Sequence, residues 1–383
     1  MISNILFFSF VLVLVLILIA LLNLNKIINR LTNYKEEYGL VVKYSLILSL
    51  VLILFSFFAP YFFTSTDIGK SIVTTTDTGL IGDTMGGIMN PFIAIAASIL
   101  TFIAFWIQYK ANEQQKQDLQ IERFENKFYS MLQIHRDNVN ETTIGKSLMG
   151  RKSFIFMFNE LKFTYHSTKL YYDSLRETKT IGEIDEETIY NISYLIFFFG
   201  IGNNSSLIVR DLIGEEHLAF VVGLERYLED IVLHWKSLPI KNKEIAVDIE
   251  NDQIFTLKIG YIPFNGQMSK LSHYIRNLFQ LVKFVDDADA SVFSYEAKYN
   301  YVSSIRAQLS SHEQLLLFYN AVSVLGKPWL DAPNYLKKYC IIKSTPLPLA
   351  NFYKKPLTVL GDKNEQGKVM FEWGDIKDRL NQE

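Results

Sequence analysis

The stretch "PFIAIAASILTFIAFWIQYKANEQQKQDLQIERFENKFYSMLQIHRDNVN", residues 91–140, decides how the chain is organised. Its first part, Pro91 to Tyr109, carries no charge. At about 1.5 Å of rise per residue it matches an apolar bilayer core of roughly 30 Å. Trp106 and Tyr109 fall where an interfacial aromatic belt sits. The segment then turns polar without a Pro or Gly, and Ile121, Phe124, Phe128, Met131, Leu132, His135 and Val139 recur at steps of three and four. This pattern predicts one long helix that leaves a membrane and lays an apolar stripe on a folded body.

Two further apolar runs precede it. "ILFFSFVLVLVLILIALLNL", Ile5 to Leu24, is uncharged, and "MISN" before it lacks the basic start of a signal peptide. "YSLILSLVLILFSFFAPYFF", Tyr44 to Phe63, is equally apolar, with Pro60 near its far end. Three membrane spans are therefore expected, the first two forming a hairpin within residues 1–63. Lys26, Arg30, Lys35 and Lys43 follow span one, and Lys110, Lys116, Arg123 and Lys127 follow span three, whereas residues 64–90 offer only Lys70. The excess of basic residues on one side predicts an N-terminus outside and residues 110–383 in the cytoplasm. The composition agrees with a chain partly in lipid: 49% of the 383 residues are hydrophobic and 14% aromatic. A net charge of -2 leaves no overall nucleic-acid footprint, and the single Cys340 excludes disulfides and multi-cysteine metal sites. No metal or cofactor is expected.

Immediately before Pro91 lies "TGLIGDTMGGIMN", residues 78–90. Asn90 reads as an N-cap and Pro91 as a first helical residue, so residues 64–90 are expected as an extracytoplasmic glycine-rich loop. An acid among glycines exceeds what capping needs. Gly82, Gly86 and Gly87 would let the backbone turn tightly while Asp83 meets a ligand, an ion or a second subunit.

Beyond Gly150 the pattern is helical and aromatic to about residue 325, with one exception. Glu244 to Pro263 alternates β-branched residues about Asn251-Asp252 and predicts a β-hairpin. The stretch "SKLSHYIRNLFQLVKFVDD" puts Leu271, Tyr274, Ile275, Leu278, Phe279, Val282 and Val285 on one stripe. Pro328, Pro333, Pro346, Pro348 and Pro356 predict loops in a C-terminal tail, residues 326–383. The expected fold class is mainly α: three N-terminal transmembrane helices, the third continuing through 91–140, then an α-helical cytoplasmic domain over 150–325 with a small β-hairpin insertion.

Catalytic signatures are scarce. "GKS" at 145–147 lacks the earlier glycine of a P-loop, and "HRD", His135 to Asp137, has none of the accompanying kinase motifs. His135 and Arg136 remain contact candidates. "GIGNNS", Gly200 to Ser205, suggests a phosphate turn with Asn203 and Asn204, but lacks a βαβ frame. Helix termination at Gly200 or Gly202, with Asn204 or Ser205 capping the next helix, explains it better. His273 and Arg276, one turn apart, could hold a phosphate together. The arrangement of Arg followed after four to six residues by His, found in the helical ribonucleases called HEPN domains, occurs at Arg306 with His312 and at Arg210 with His217. There His could move a 2'-hydroxyl proton and Arg could stabilise a phosphorane. Ser310-x-x-Glu313, a capping box, accounts for part of the first match without catalysis.

Taken in order, "TGLIGDTMGGIMNPFIAIAASILTFIAFWIQYKAN", "FENKFYSMLQIHRDNV", "GRKSFIFMFNELK", "FFFGIGNNS", "LSHYIRNLFQLVKFVD" and "YEAKYNYVSSIRAQLSSHEQLLLFYNA" resemble the bacterial phage abortive infection family of the AbiC type. The resemblance runs from about residue 78 to residue 350. It implies an antiphage factor in the bacterial cytoplasmic membrane that aborts infection at the expense of the infected cell, and it carries no catalytic residue set to transfer. Two mechanisms follow as expectations. In the favoured one, the cytoplasmic domain senses a phage product and the membrane spans oligomerise or perturb the bilayer, with Ala94, Ala96, Ala97 and Ser98 allowing close helix packing between like subunits. In the alternative, a membrane-tethered HEPN-like ribonuclease cleaves RNA through one of the Arg–His pairs.

Overall fold

The computed structural model describes residues 36–65, 78–144, 148–239, 243–249 and 253–373. The chain divides into two compact units, Met1–Gln120 and Ile121–Glu383. The expected first span, Ile5 to Leu24, and "GKS" at 145–147 lie outside the described residues.

In the first unit, helix α1 spans Glu36–Ser65, and helix α2, Thr78–Glu141, begins there. Two helices, Val42–Pro60 and the stretch starting at Gly86, are long and apolar enough to cross a membrane by length and composition. Large apolar side chains such as Phe57, Phe102 and Phe105 point outward, each about two-thirds exposed. Hydroxyls on these helices turn back onto their own backbone: Ser98 donates to the Ala94 carbonyl at 2.8 Å and Thr101 to that of Ala97 at 2.8 Å. Such bonds satisfy a polar atom where water is absent. Lys110 sits 5.5–5.7 Å from the ring centres of Trp106 and Tyr109 and pairs with Glu113 at 2.7 Å, ending the apolar stretch with amphipathic side chains.

The glycine-rich segment corrects an expectation. Residues 78–90 are helical, and Pro91 lies inside α2 and not at its start. Asn90 is therefore no cap. A proline removes its own N–H and disturbs the carbonyl four residues back, and glycine costs about 1 kcal/mol per position in a water-exposed helix. In an apolar phase an unbonded backbone group is costlier than a poor helix former, so a bilayer would favour the helix over a turn here.

In the second unit, α2 supplies Phe124, Phe128, Leu132 and Val139 to the core, with Phe128 fully buried. A two-residue antiparallel pair follows, β1 Thr143–Ile144 with β2 Leu148–Met149. Then come α3 Arg151–Glu177, α4 Glu186–Phe199, α5 Asn203–Ile213 and α6 Leu218–Ser237. Strands β3 Glu244–Ile249 and β4 Gln253–Lys258 pair antiparallel, with Ile245 opposite Leu257, while Asn251 and Asp252 lie outside the described residues. Helices α7 Met268–Asp286, α8 Tyr295–Arg306 and α9 Ser311–Ala321 complete the main frame.

Two apolar clusters share α3 and α4. One joins them to α2, α7, α8 and α9; the other joins them to α6 and the β3–β4 hairpin. This explains why α4 from Ile189 onward is apolar on nearly every side: there it lies between two cores, while Glu186 and Glu187 of its first turn stay exposed. Residues 326–373 pack as short pieces against the first cluster. Leu336, Cys340, Ile341, Ile342 and Met370 are fully buried in the first cluster, and the Tyr319 hydroxyl donates to the Phe352 carbonyl at 2.9 Å beneath stacked rings 4.1 Å apart. The prolines only shorten the helices there, to α10 Tyr335–Lys338 and α11 Pro356–Leu360.

One polar junction fixes the two halves of the core against each other. Glu160 of α3, fully buried, accepts bonds from the Tyr261 hydroxyl at 2.9 Å, the Phe264 amide at 2.9 Å and the Gln267 side-chain amide at 2.8 Å. Next to it the end of α4 meets residues 264–267 backbone to backbone, with Ile201 donating to Phe264 at 2.9 Å and Gln267 to Phe198 at 2.9 Å. The contact needs glycine on both sides. A Cβ on Gly266 would stand 2.4 Å from the Phe199 carbonyl oxygen, and one on Gly200 2.7 Å from the Asn265 carbonyl carbon. Both have positive φ, +81° and +89°.

Gly266→Ala is expected to destabilise the second unit by more than the roughly 1–3 kcal/mol that a strained φ alone carries. Gly367→Ala, at φ +75° with open space around it, is expected to cost only that strain. Thermal unfolding of the two detergent-solubilised full chains checks the difference; equal midpoints would mean that the close approach is not tight.

Candidate functional site

A buried polar cluster lies where the C-terminal part of α2 meets α3, α7 and α9. His135 is 1% exposed, and neither ring nitrogen has a hydrogen-bond partner. Its ring centre is 4.9 Å from that of Tyr274, which also packs on Phe154 at 4.8 Å. The Tyr274 hydroxyl donates to Glu313 at 3.2 Å. Glu313, fully buried, closes the N-terminus of α9 as a capping box: the Ser310 amide donates to its carboxylate at 2.8 Å, and its own amide donates to the Ser310 hydroxyl at 3.3 Å. Arg151 at the start of α3 reaches the same carboxylate at 3.9 Å and donates to the Gln308 carbonyl at 2.8 Å.

The electrostatics follow from burial. Desolvation first, and the Arg151 charge second, lower the His135 pKa from 6.5 to about 4. Burial raises the Glu313 carboxyl, against the pull of Ser310, Arg151 and Tyr274. Glu160, in the neighbouring junction, is raised to about 7 because desolvation outweighs its three donors and the Lys270 charge. His135 is thus held neutral with an unbonded N–H, a configuration that costs stability and has no access to a substrate. A proton on His135 would place an unpaired charge in this buried contact with Tyr274.

The structure separates the expected Arg–His pairs into different contacts. Arg306 donates to the main-chain carbonyls of Tyr339 at 3.2 Å and Cys340 at 3.0 Å, and to the Ser303 hydroxyl at 2.8 Å. His312 instead packs edge-on against Phe158 at 5.7 Å, half-buried, with its pKa lowered by that burial. Arg210 is bonded to the buried carboxylate of Glu225, while His217 reaches only its neighbour Glu216 at 3.5 Å. Both guanidinium groups are engaged in structural bonds and neither faces its candidate histidine partner through a shown contact. Physically, both serve to satisfy buried acceptors, a demand that spacing along the chain does not reveal.

The remaining candidates are scattered. Asp83 is exposed on α2, as is Gly87, while Gly82 and Gly86 lie on the same helix, not in a turn. Arg136, next to His135, faces solvent. Asn203 opens α5, preceded by Gly202, whose amide donates to the Ser206 hydroxyl at 3.2 Å, so neither Asn204 nor Ser205 is the cap. Gly200 does end α4. His273 and Arg276 are both exposed, but Arg276 shares a cleft with Ser272, four residues away, and His273 does not line it. Among the described residues, no group of three or more His, Cys, Asp or Glu could hold a metal ion. Sequence reading missed Glu160 and the partnership of His135, Tyr274 and Glu313. A carboxylate on the aromatic stripe of "FIFMFNELKF" was the available signal for Glu160.

Residues 266–348, which contain α7, α8 and α9, match the model of a protein family described as "Putative phage abortive infection protein". Over those residues the match supports the resemblance to the phage abortive infection family of the AbiC type. No curated protein and no solved structure matches the chain. The matched segment supplies Tyr274, Ser310 and Glu313 to the cluster, and α2 and α3 supply His135 and Arg151.

The pH response of this cluster is testable. A depressed folded pKa means that the His135 contribution is complete above pH 6.5 and is lost as pH falls toward about 4, at about 1.4 kcal/mol per unit. The Glu160 contribution runs the other way, complete below pH 4.5 and lost as pH rises through about 7. Relative to the wild type, His135→Leu is expected to gain stability steadily from pH 7 down to 4.5, and Glu160→Gln to lose the decline between pH 5 and 8. Chemical denaturation across that range decides; a His135→Leu difference independent of pH would show that the imidazole titrates normally.

Proposed function

We propose that this chain is a membrane-anchored abortive infection protein whose second unit senses a phage product and whose spans carry the response, by oligomerising or by altering the bilayer. The observation that carries the reading is helix α2. Its apolar part belongs to the helices able to cross a membrane, and its C-terminal part, Ile121 onward, belongs to the core of the unit that holds the family segment. Between them, residues 111–120 are exposed and free of Pro and Gly. A ligand or phage protein that displaced His135 of α2 from Tyr274 would act on the helix that also carries the apolar stretch. Outward-facing Phe102 and Phe105, and the small residues Ala94, Ala97 and Ser98, offer lipid or a like subunit a surface to pack on. The basic flanks support a cytoplasmic second unit in the inner membrane of a bacterium.

The membrane reading is favoured over RNA cleavage because both candidate arginines are engaged in structural bonds. In phage-challenged cells, Gln117→Pro, which touches nothing but the exposed part of α2, is expected to lower protection at least about tenfold at equal expression, by removing a backbone bond worth about 3 kcal/mol in helix continuity. His312→Ala is expected to retain protection. A potential-sensitive dye should report depolarisation before any RNA fragments accumulate. Protection intact in the proline variant, or RNA cleavage in cells with normal membrane potential, contradicts the proposal.

A further inference from the structure

Helix α7, the end of α9 and the turn that follows enclose an open cleft of about 320 Å³. Sites for small organic ligands fall in the range of roughly 300–1,000 Å³. Phe198, Phe279 and Trp329 give it aromatic walls, with Phe279 meeting Trp329 edge-on at 5.1 Å. Three polar side chains interrupt these walls. Ser272 and Arg276 stand one turn apart on α7, and Arg276 is exposed, with no hydrogen bond or ion pair among the described residues. Asn320, 3% exposed, gives its side-chain N–H to the Tyr194 hydroxyl at 2.7 Å, and its carbonyl oxygen has no partner. The turn is held close by Gly326, where a Cβ would stand 2.0 Å from the Asn320 main-chain oxygen. All of these residues except Phe198 lie in the segment that carries the family match.

We propose that this cleft binds a nucleoside phosphate. The base lies against Phe279, the partly exposed aromatic of the cleft, with the buried Trp329 packed behind it, since every base offers a π-face to aromatic side chains. A ring or exocyclic N–H of the base supplies the donor that the Asn320 oxygen lacks. The phosphate meets the free guanidinium of Arg276, whose fork of donors matches phosphate oxygens, and the Ser272 hydroxyl beside it. An aliphatic anion would leave the aromatic walls unused, and a neutral ring would leave Arg276 unpaired. The inference stands on the cleft alone and does not depend on the membrane reading.

Isothermal titration of the full chain in detergent micelles tests it with AMP, GMP, CMP and UMP, the corresponding nucleosides, inorganic phosphate and indole-3-acetate. At least one monophosphate is expected to bind at a single site. Its nucleoside and phosphate alone are expected to bind at least about tenfold more weakly. Arg276→Gln, at an exposed position, and Ser272→Trp, which fills the cleft, are each expected to weaken binding at least about tenfold with the thermal midpoint unchanged. The proposal is overturned if no monophosphate gives saturable heat, if the nucleoside binds as tightly, if Arg276→Gln binds like the wild type, or if indole-3-acetate binds more tightly than every nucleotide.

Discussion

The second unit depends on a carboxylate placed where a carboxylate is expensive. Glu160 sits in the middle of an aromatic helix, out of water, and remains there because three donors from one short segment, residues 261–267, converge on it. Removing any donor would leave a buried acceptor short of a partner, a loss of about 1–3 kcal/mol. The same segment docks on the end of α4 through glycines on both sides, and only then does α7 start with its apolar stripe turned to the core. Polar convergence and steric closeness thus act on the same few residues, so that α3, α4 and α7 have one arrangement and not several.

A second consequence concerns what surrounds the helix shared by both units. Its buried part is apolar except at His135, where both ring nitrogens go unpaired beside a Tyr274–Glu313 bond. A packed phenylalanine or leucine there would stabilise the contact further. The imidazole weakens the seat of α2 at one point, and weak points of this kind are where a bound partner can shift a balance between two arrangements. The first unit shows the complementary economy: hydroxyls close on their own backbone, and large apolar side chains face outward, so little on that surface asks for water.

Much of this was legible in the residues themselves. The three-and-four spacing of Phe124, Phe128 and Leu132 marks the buried face of α2, and the alternation about residue 250 marks an antiparallel pair. Ser310 and Glu313 declare a capping box by their spacing alone. The failures have physical causes. Asn90-Pro91 looks like a helix start because local capping rules see neither the helical turns before it nor the apolar stretch that carries the helix on. The prolines of the C-terminal stretch announce loops and extended packing, but their spacing does not say which short apolar pieces, such as Ile341-Ile342, are core. Glu160 meets partners more than a hundred residues away, and Arg210 and Arg306 answer acceptors that only the folded chain brings near. No local pattern announces such pairings.

The account turns on α2 being a single helix from its apolar part into the core of the second unit. The most direct measurement is the distance between spin labels on cysteines placed at the exposed positions Gln108 and Tyr129, read by pulsed electron resonance in membranes, with Cys340 replaced by serine. Unbroken helix requires a narrow distribution centred near 31 Å between backbone positions, from about 1.5 Å per residue. A broad distribution, or one centred well below that value, would show that the helix is interrupted and would remove the basis for joining the spans to the sensing unit.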